Sequence, residues 1–184
     1  MQTLPRIEVT REQMLKRVAR FSDLKGSDGG FPDSYHPDYM RTLYSVIGFQ
    51  DPNSEDNATT SPVGDDAAAS SVIKISEGFN LGYAETYPGK GASMHNHDTN
   101  ETFIPMTGHW RFHWEVGGKV EHIDLGPHDV ISIPAGVVRR FQNVTFDEPD
   151  RKHLLMVVIG GNAPKAEFTD EVMEDLRQRG LVAA

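Results

Sequence analysis

Residues Gly89 to Gly108 read GKGASMHNHDTNETFIPMTG and bring two imidazoles and a carboxylate, His95, His97 and Glu101, close together in sequence. That spacing rejects a helix, because residues two apart on a helix do not share a face. On a strand they do, so His95 and His97 point the same way only if this stretch is extended. Glu101 has the same parity, yet on a straight strand it would lie roughly 13 Å beyond His97. Metal–ligand bonds are only about 2.0–2.2 Å, so three ligands for one ion require the chain to fold back. Asp98-Thr99-Asn100 are suitable turn or bulge residues. Glu101 is then expected to open a neighbouring strand about 4.8 Å away. With 8 His and 12 Glu in 184 residues, roughly 0.02 chance matches of His-x-His-x3-Glu are expected. The alternative is a surface histidine cluster on a polar turn.

Length and composition fit one domain that buries its own core without disulfides. The chain has no cysteine, which excludes disulfides and thiolate catalysis. A net charge of −9 argues against nucleic acid or an anionic membrane as partner. No apolar run reaches the length of a membrane span. The start, MQTLPRIEVTREQ, lacks an apolar signal core, so a cytoplasmic location is expected.

Three regions follow from periodicity. In residues 1–69, an expected helix over 11–24 carries Met14, Leu15, Val18, Phe21 and Leu24 on one face, with Thr10 as N-cap, Gln13 three residues on, and Gly26 at its end. This stripe suits docking on the rest of the fold or on a second subunit. Residues 26–40 read as loop, 41–49 as a strand, and 50–69 as a mobile connection. Residues 70–160 are short strands between Gly and Pro turns, the pattern of an antiparallel barrel or jelly roll. The strands are 71–75, 79–87, 101–106, 110–116, 119–125, 129–133, 137–144 and 153–159, with Gly117-Gly118 as a two-residue hairpin. Residues 161–184 hold a helix capped by Thr169, with Asp170 and Glu171 in its first turn, Arg177 and Arg179 in its last, and Gly180 as its stop.

Gly89-x5-His95-x-His97-x3-Glu101-x6-Gly108 resembles the first motif of the cupin superfamily. A second cupin motif, Gly-x5-Pro-x-Gly-x2-His-x3-Asn, is matched at Pro134, Gly136 and Asn143, with His128 in place of the opening glycine and Arg139 in place of the histidine. The resemblance covers about residues 70–160. It implies an all-β, antiparallel double-stranded β-helix (jelly-roll or cupin barrel) with short N- and C-terminal helices, and a homodimer. It also implies a metal site on His95, His97 and Glu101, whose usual fourth ligand is replaced by Arg139. Cupin reactions vary, so the resemblance is specific for fold and weak for reaction.

Two imidazoles and one carboxylate with open positions suit one divalent ion, Fe(II) first, with Mn, Ni, Co or Zn as alternatives. A guanidinium cannot ligate a cation. Arg139 could hold a substrate carboxylate or enolate, pair with Glu101 and occupy the site, or turn outward like Arg140. The expected catalytic residues are Glu101 and Arg139. The expected substrate contacts are Arg139, Tyr83, Phe103, Trp110 and Phe112, with Glu85 and Trp114 as further candidates. Among the other histidines, His153 opens a strand and is the reserve ligand. The expected function is a metal-dependent oxidoreductase, a dioxygenase acting on a small anionic or aromatic substrate. The alternatives are a non-catalytic small-molecule binder or sensor and a cupin isomerase, epimerase or lyase.

Overall fold

The computed structural model describes residues 4–48, 71–75 and 77–183, and its strands Phe79–Thr86, Glu101–Pro105 and Arg139–Asn143 bury alternate side chains as period two dictates. A five-residue helix, α1 (Arg11–Leu15), comes first, followed by β1 (Gly26–Ser27), β2 (Thr42–Ile47) and β3 (Phe79–Thr86). Then come β4 (His95–His97), β5 (Glu101–Pro105), β6 (Trp110–Val116), β7 (Lys119–Leu125), β8 (Ile131–Ile133), β9 (Arg139–Asn143), β10 (His153–Gly160) and β11 (Ala166–Phe168). Helix α2 (Asp170–Gln178) closes the described chain. The strands form two antiparallel sheets, of six in the order β1-β2-β3-β10-β5-β8 and of five in the order β11-β4-β9-β6-β7. This is the expected all-β jelly-roll barrel. Among the described residues, no helix is long and apolar enough to cross a membrane.

Aromatic side chains join the sheets. Phe103 of β5 packs on Phe112 of β6 and Phe141 of β9, at ring-centroid distances of 5.1 and 5.5 Å. Trp110 lies 5.9 Å from Phe141, fully buried, and donates its indole N–H to the Thr107 carbonyl at 2.9 Å. Such rings contribute large buried areas and fix the spacing of the layers. Phe103, Trp110 and Phe112, expected among the substrate contacts, are therefore core residues.

Three turns show why the motif positions are what they are. Gly117 and Gly118 both take positive φ, as a two-residue hairpin between β6 and β7 requires. A Cβ on Gly108 would stand 2.5 Å from Thr145 Oγ1 and from the His153 ring, so no larger residue fits without a shift. His128, standing where the cupin pattern has glycine, adopts φ 72°, the one positive value on a non-glycine residue among those described. The turn thus keeps the backbone that glycine allows most cheaply, in a residue type that tolerates it.

The N-terminal expectation is corrected. The capping box of Thr10 and Gln13 is present, but α1 ends at Leu15 and its side chains are exposed. Met14, Leu15, Val18 and Phe21 all stay at least 41% exposed, so the stripe has little packing to hold it. A helix without such packing is marginal below about 12–15 residues. Phe21 reaches the sheet, beside Tyr44 and Tyr83. The stretch from 71 to 75 forms one parallel bridge, Ile47 to Ile73, rather than a barrel strand. Phe49 and the connection 50–69 lie outside the described residues. β1, β2 and β11 extend the two sheets beyond residues 70–160: β2 pairs with β3, and β11 with β4. At the other end, α2 follows its expected signals, from the Thr169 cap to Gly180 at φ 69°.

Replacing Trp110 with alanine should lower unfolding free energy by about 3–5 kcal/mol. Urea denaturation checks this, and a loss below about 1 kcal/mol would mean the indole is not part of the core.

Candidate metal centre

β4 and β5 belong to different sheets, which corrects the expectation that Glu101 opens a strand beside His97. The turn at Asp98-Thr99-Asn100 carries the chain from one sheet to the other, and its ends are pinned. Asp98 accepts the Lys165 N–H at 2.8 Å, and the Asn100 carbonyl accepts the Gly160 N–H at 3.0 Å. Facing sheets stand about 10 Å apart, a gap that side chains from both can close over an ion. His95 and His97 point inward from one wall, and Glu101 from the other.

The two rings are set by backbone carbonyls. His95 Nδ1 lies 2.8 Å from the Ser93 carbonyl oxygen, and His97 Nδ1 lies 2.7 Å from that of Lys165. A carbonyl only accepts, so both Nδ1 atoms carry hydrogen and both Nε2 atoms present a lone pair. This is the outer-shell arrangement that prepares imidazole for a cation. One ligand atom from each of His95, His97 and Glu101 lies within 4.8 Å of the others, the one such group among the described residues. Bonds of about 2.1 Å put neighbouring ligand atoms roughly 3.0–3.5 Å apart, so binding an ion would draw the three inward by about 1 Å. The donor set fits a divalent metal.

Burial lowers the pKa of His95 to about 3, assisted by Arg139, and lowers that of His97, so both stay neutral. Burial opposes charge on Glu101, but the Arg139 guanidinium bonded to it outweighs burial and holds the carboxyl below its usual range. Arg139 is 1% exposed and faces inward because it is the cross-strand partner of His95. Its Nε and Nη2 donate to one oxygen, Glu101 Oε2, at 3.1 and 2.7 Å, and Nη1 reaches the Val137 carbonyl at 3.4 Å. Of the three readings of Arg139, outward rotation is excluded. Arg139 is bonded to Glu101 and does not line the cavity, so it acts there through that carboxylate.

A cavity of about 40 Å³ opens on the three ligands. It holds about three waters, and a cavity that takes benzene is about 150 Å³. Its walls include Phe31, Arg41, Tyr83, Phe141 and Phe168. Of the expected substrate contacts, Tyr83 is on this wall. Trp114 is not, and Glu85 lines a separate cavity where it accepts the Tyr44 hydroxyl at 3.1 Å. His153 is buried near Gly108 at the opposite end of β10 from Ile159, the residue paired with Glu101. Six residues along a strand is roughly 20 Å, so His153 is no replacement ligand. Sequence reasoning missed Phe31 and Asp33, which lie in the stretch read as loop, Arg41 at the start of the expected strand 41–49, and Phe168 of β11. In hindsight, the one trace of Asp33 and Arg41 is an opposite-charge pair among Gly, Pro and Tyr.

No family model and no curated protein sequence matches the chain. Solved structures do. The chain resembles an oxalate decarboxylase of Lactobacillus farciminis in its formate complex, at 14% identity and TM-score 0.53, over 84% of this chain and 36% of that one. An oxalate oxidase is similar at 14% identity and TM-score 0.50, over 73% of this chain and 57% of the other. A structure described under the DMSP lyases RdDddP and RnDddQII is similar at 12% identity and TM-score 0.53, over 80% and 63%. The chain thus spans less than two thirds of the length of each, and these likenesses show the fold.

Replacing Arg139 with glutamine removes a positive charge beside the ligands. It also removes the group that keeps Glu101 ionised and oriented, so affinity for Co(II) should fall about ten- to a hundredfold. The apoprotein should lose about 3–5 kcal/mol of stability, because Glu101 is left buried and unpaired. Calorimetric titration and thermal melts check the two effects, and unchanged affinity would contradict this view of Arg139.

Proposed function

We propose that this protein of the cupin fold is a metal-dependent oxidoreductase, of the dioxygenase type, acting on a small carboxylate anion. The observation that carries the reading is the convergence of His95 Nε2, His97 Nε2 and the Glu101 carboxylate on one small cavity. Three protein ligands leave positions open for substrate, unlike a closed four-ligand structural site. A divalent ion held there, Fe(II) first, supplies Lewis acidity and, as iron, redox chemistry with O₂.

The chain's own residues do the rest. His95 and His97 stay neutral and aimed by their backbone bonds, so no proton has to leave before an ion binds. Arg139 keeps Glu101 ionised and in one orientation. Arg41 is part of the cavity wall with its guanidinium held by Asp33, so the pair shapes the wall without adding net charge. Phe31, Phe141 and Phe168 exclude water and strengthen every electrostatic contact within. A carboxylate can fill the ion's open positions through its oxygens, which favours the anionic over the aromatic substrate. Oxalate, for which two of the structurally similar enzymes are named, is an anion of this kind.

A second reading rests on one specific contact. Two of the three Arg139 bonds go to Glu101, which is how a metal-free binding pocket would also look. Anaerobic loading with Fe(II), followed by O₂ uptake on a panel of short mono- and dicarboxylates, separates the two. The enzyme reading expects uptake that requires both metal and substrate. No uptake with any divalent metal and any substrate of the panel would overturn it, and carboxylate consumed without O₂ would assign a lyase or decarboxylase instead.

A further inference from the structure

We infer that Asp33, in the segment ahead of the barrel strands, is a positioning residue for the metal centre. Through Ser93 it sets the orientation and tautomer of His95. This rests on the metal reading above only in its metal-binding consequence. The positioning of His95 stands on the protein's own contacts.

Asp33 is fully buried, and all its partners converge on one place. Its Oδ2 accepts the Ser93 N–H at 3.1 Å, the Ser93 hydroxyl at 2.9 Å and Arg41 Nη1 at 3.1 Å, while Oδ1 accepts Arg41 Nη2 at 3.0 Å. Arg41 Nη1 also reaches the Gly91 carbonyl at 3.3 Å. The approach to β4 is thus held at Gly91 and at Ser93, two residues before the first ligand. The Ser93 carbonyl then takes the His95 Nδ1 hydrogen at 2.8 Å. Asp33 therefore acts on the imidazole through one intervening residue.

Stability alone does not account for such a pair. Burying two charges is expensive, and apolar residues of the same volume often fold as well or better. What a buried carboxylate with four donors adds is a fixed geometry. Here the atoms it fixes lead directly to a ligand. His97 is supported separately, through Lys165 and Asp98. The two imidazoles are thus held by opposite ends of the chain, His95 by the N-terminal segment and His97 by the strand-forming stretch after β10. The same arginine lies over the Phe31 ring, 5.4 Å from its centroid. Loss of Asp33 would therefore disturb ligand and cavity wall together.

The test compares the full-length protein with its Asp33→Asn and Ser93→Ala variants by nitrogen-15 NMR of the histidine rings without metal, and by Co(II) titration. In the unsubstituted protein, His95 should show a single tautomer with hydrogen on Nδ1. In Asp33→Asn it should show a mixture, and the Co(II) Kd should rise about ten- to a hundredfold. Ser93→Ala, which loses only the hydroxyl bond, should move both readouts the same way by less, and decides the matter if Asp33→Asn does not fold. Thr145→Ala, which breaks a buried hydrogen-bond network around Asn143, should lower the Tm and leave both readouts unchanged. One His95 tautomer in both Asp33→Asn and Ser93→Ala, with Kd within twofold of the unsubstituted protein, would overturn the proposal. Failure of the unsubstituted protein to bind Co(II) would sink the metal reading, and the NMR comparison would still decide the role of Asp33.

Discussion

A carboxylate and a guanidinium meet inside the barrel, Glu101 Oε2 and Arg139 Nη2 at 2.7 Å, each almost completely buried. Neither charge could be kept there alone, since an isolated ion in such surroundings is costly and would neutralise or refuse burial. Together they let the cavity hold a charged ligand set at no net charge. Two neutral imidazoles add donors without adding charge. Where the motif that this sequence resembles has a histidine, the chain has Arg139, a counter-ion to Glu101. The expected consequence is a site of moderate metal affinity, with a carboxylate that cannot easily rotate or take up a proton.

The geometry of that site is largely set from outside the central strands. Backbone carbonyls of Ser93 and Lys165 choose the imidazole tautomers. Asp33 and Asp98 hold the segments to which those carbonyls belong. Phe31 packs edge-on against Phe168 at 6.2 Å, joining an N-terminal and a C-terminal residue over the ligands. The barrel supplies two rigid walls, and the flanking segments supply aim and cover. Such a division suits a fold in which one barrel serves many chemistries.

Much of the barrel was legible because period two is local. Trp110–Val116, Lys119–Leu125 and the Gly117-Gly118 hairpin lie where alternation and turn chemistry place them. The ligand trio was legible for the same reason, since His-x-His has one sensible backbone. Which sheet Glu101 would join was not, because a three-residue turn can lead to a neighbouring strand or to the opposite wall. Arg139 was ambiguous because its orientation depends on register with His95, a tertiary fact. The helix at 11–24 failed for a related reason. Its stripe is real in the sequence, but helices of that length depend on packing, and α1 buries none of its side chains. Asp33 carries no periodic signal at all, and only its joint burial with Arg41 shows what the two do.

A crystal grown with Co(II) or Fe(II), measured at the metal absorption edge, tests the central claim most directly. The account predicts one anomalous peak, about 2.0–2.2 Å from His95 Nε2, His97 Nε2 and a Glu101 oxygen, with Arg139 still bonded to the carboxylate. No peak at saturating metal, with Glu101 turned away and its Oε2 held by Arg139 alone, would contradict it.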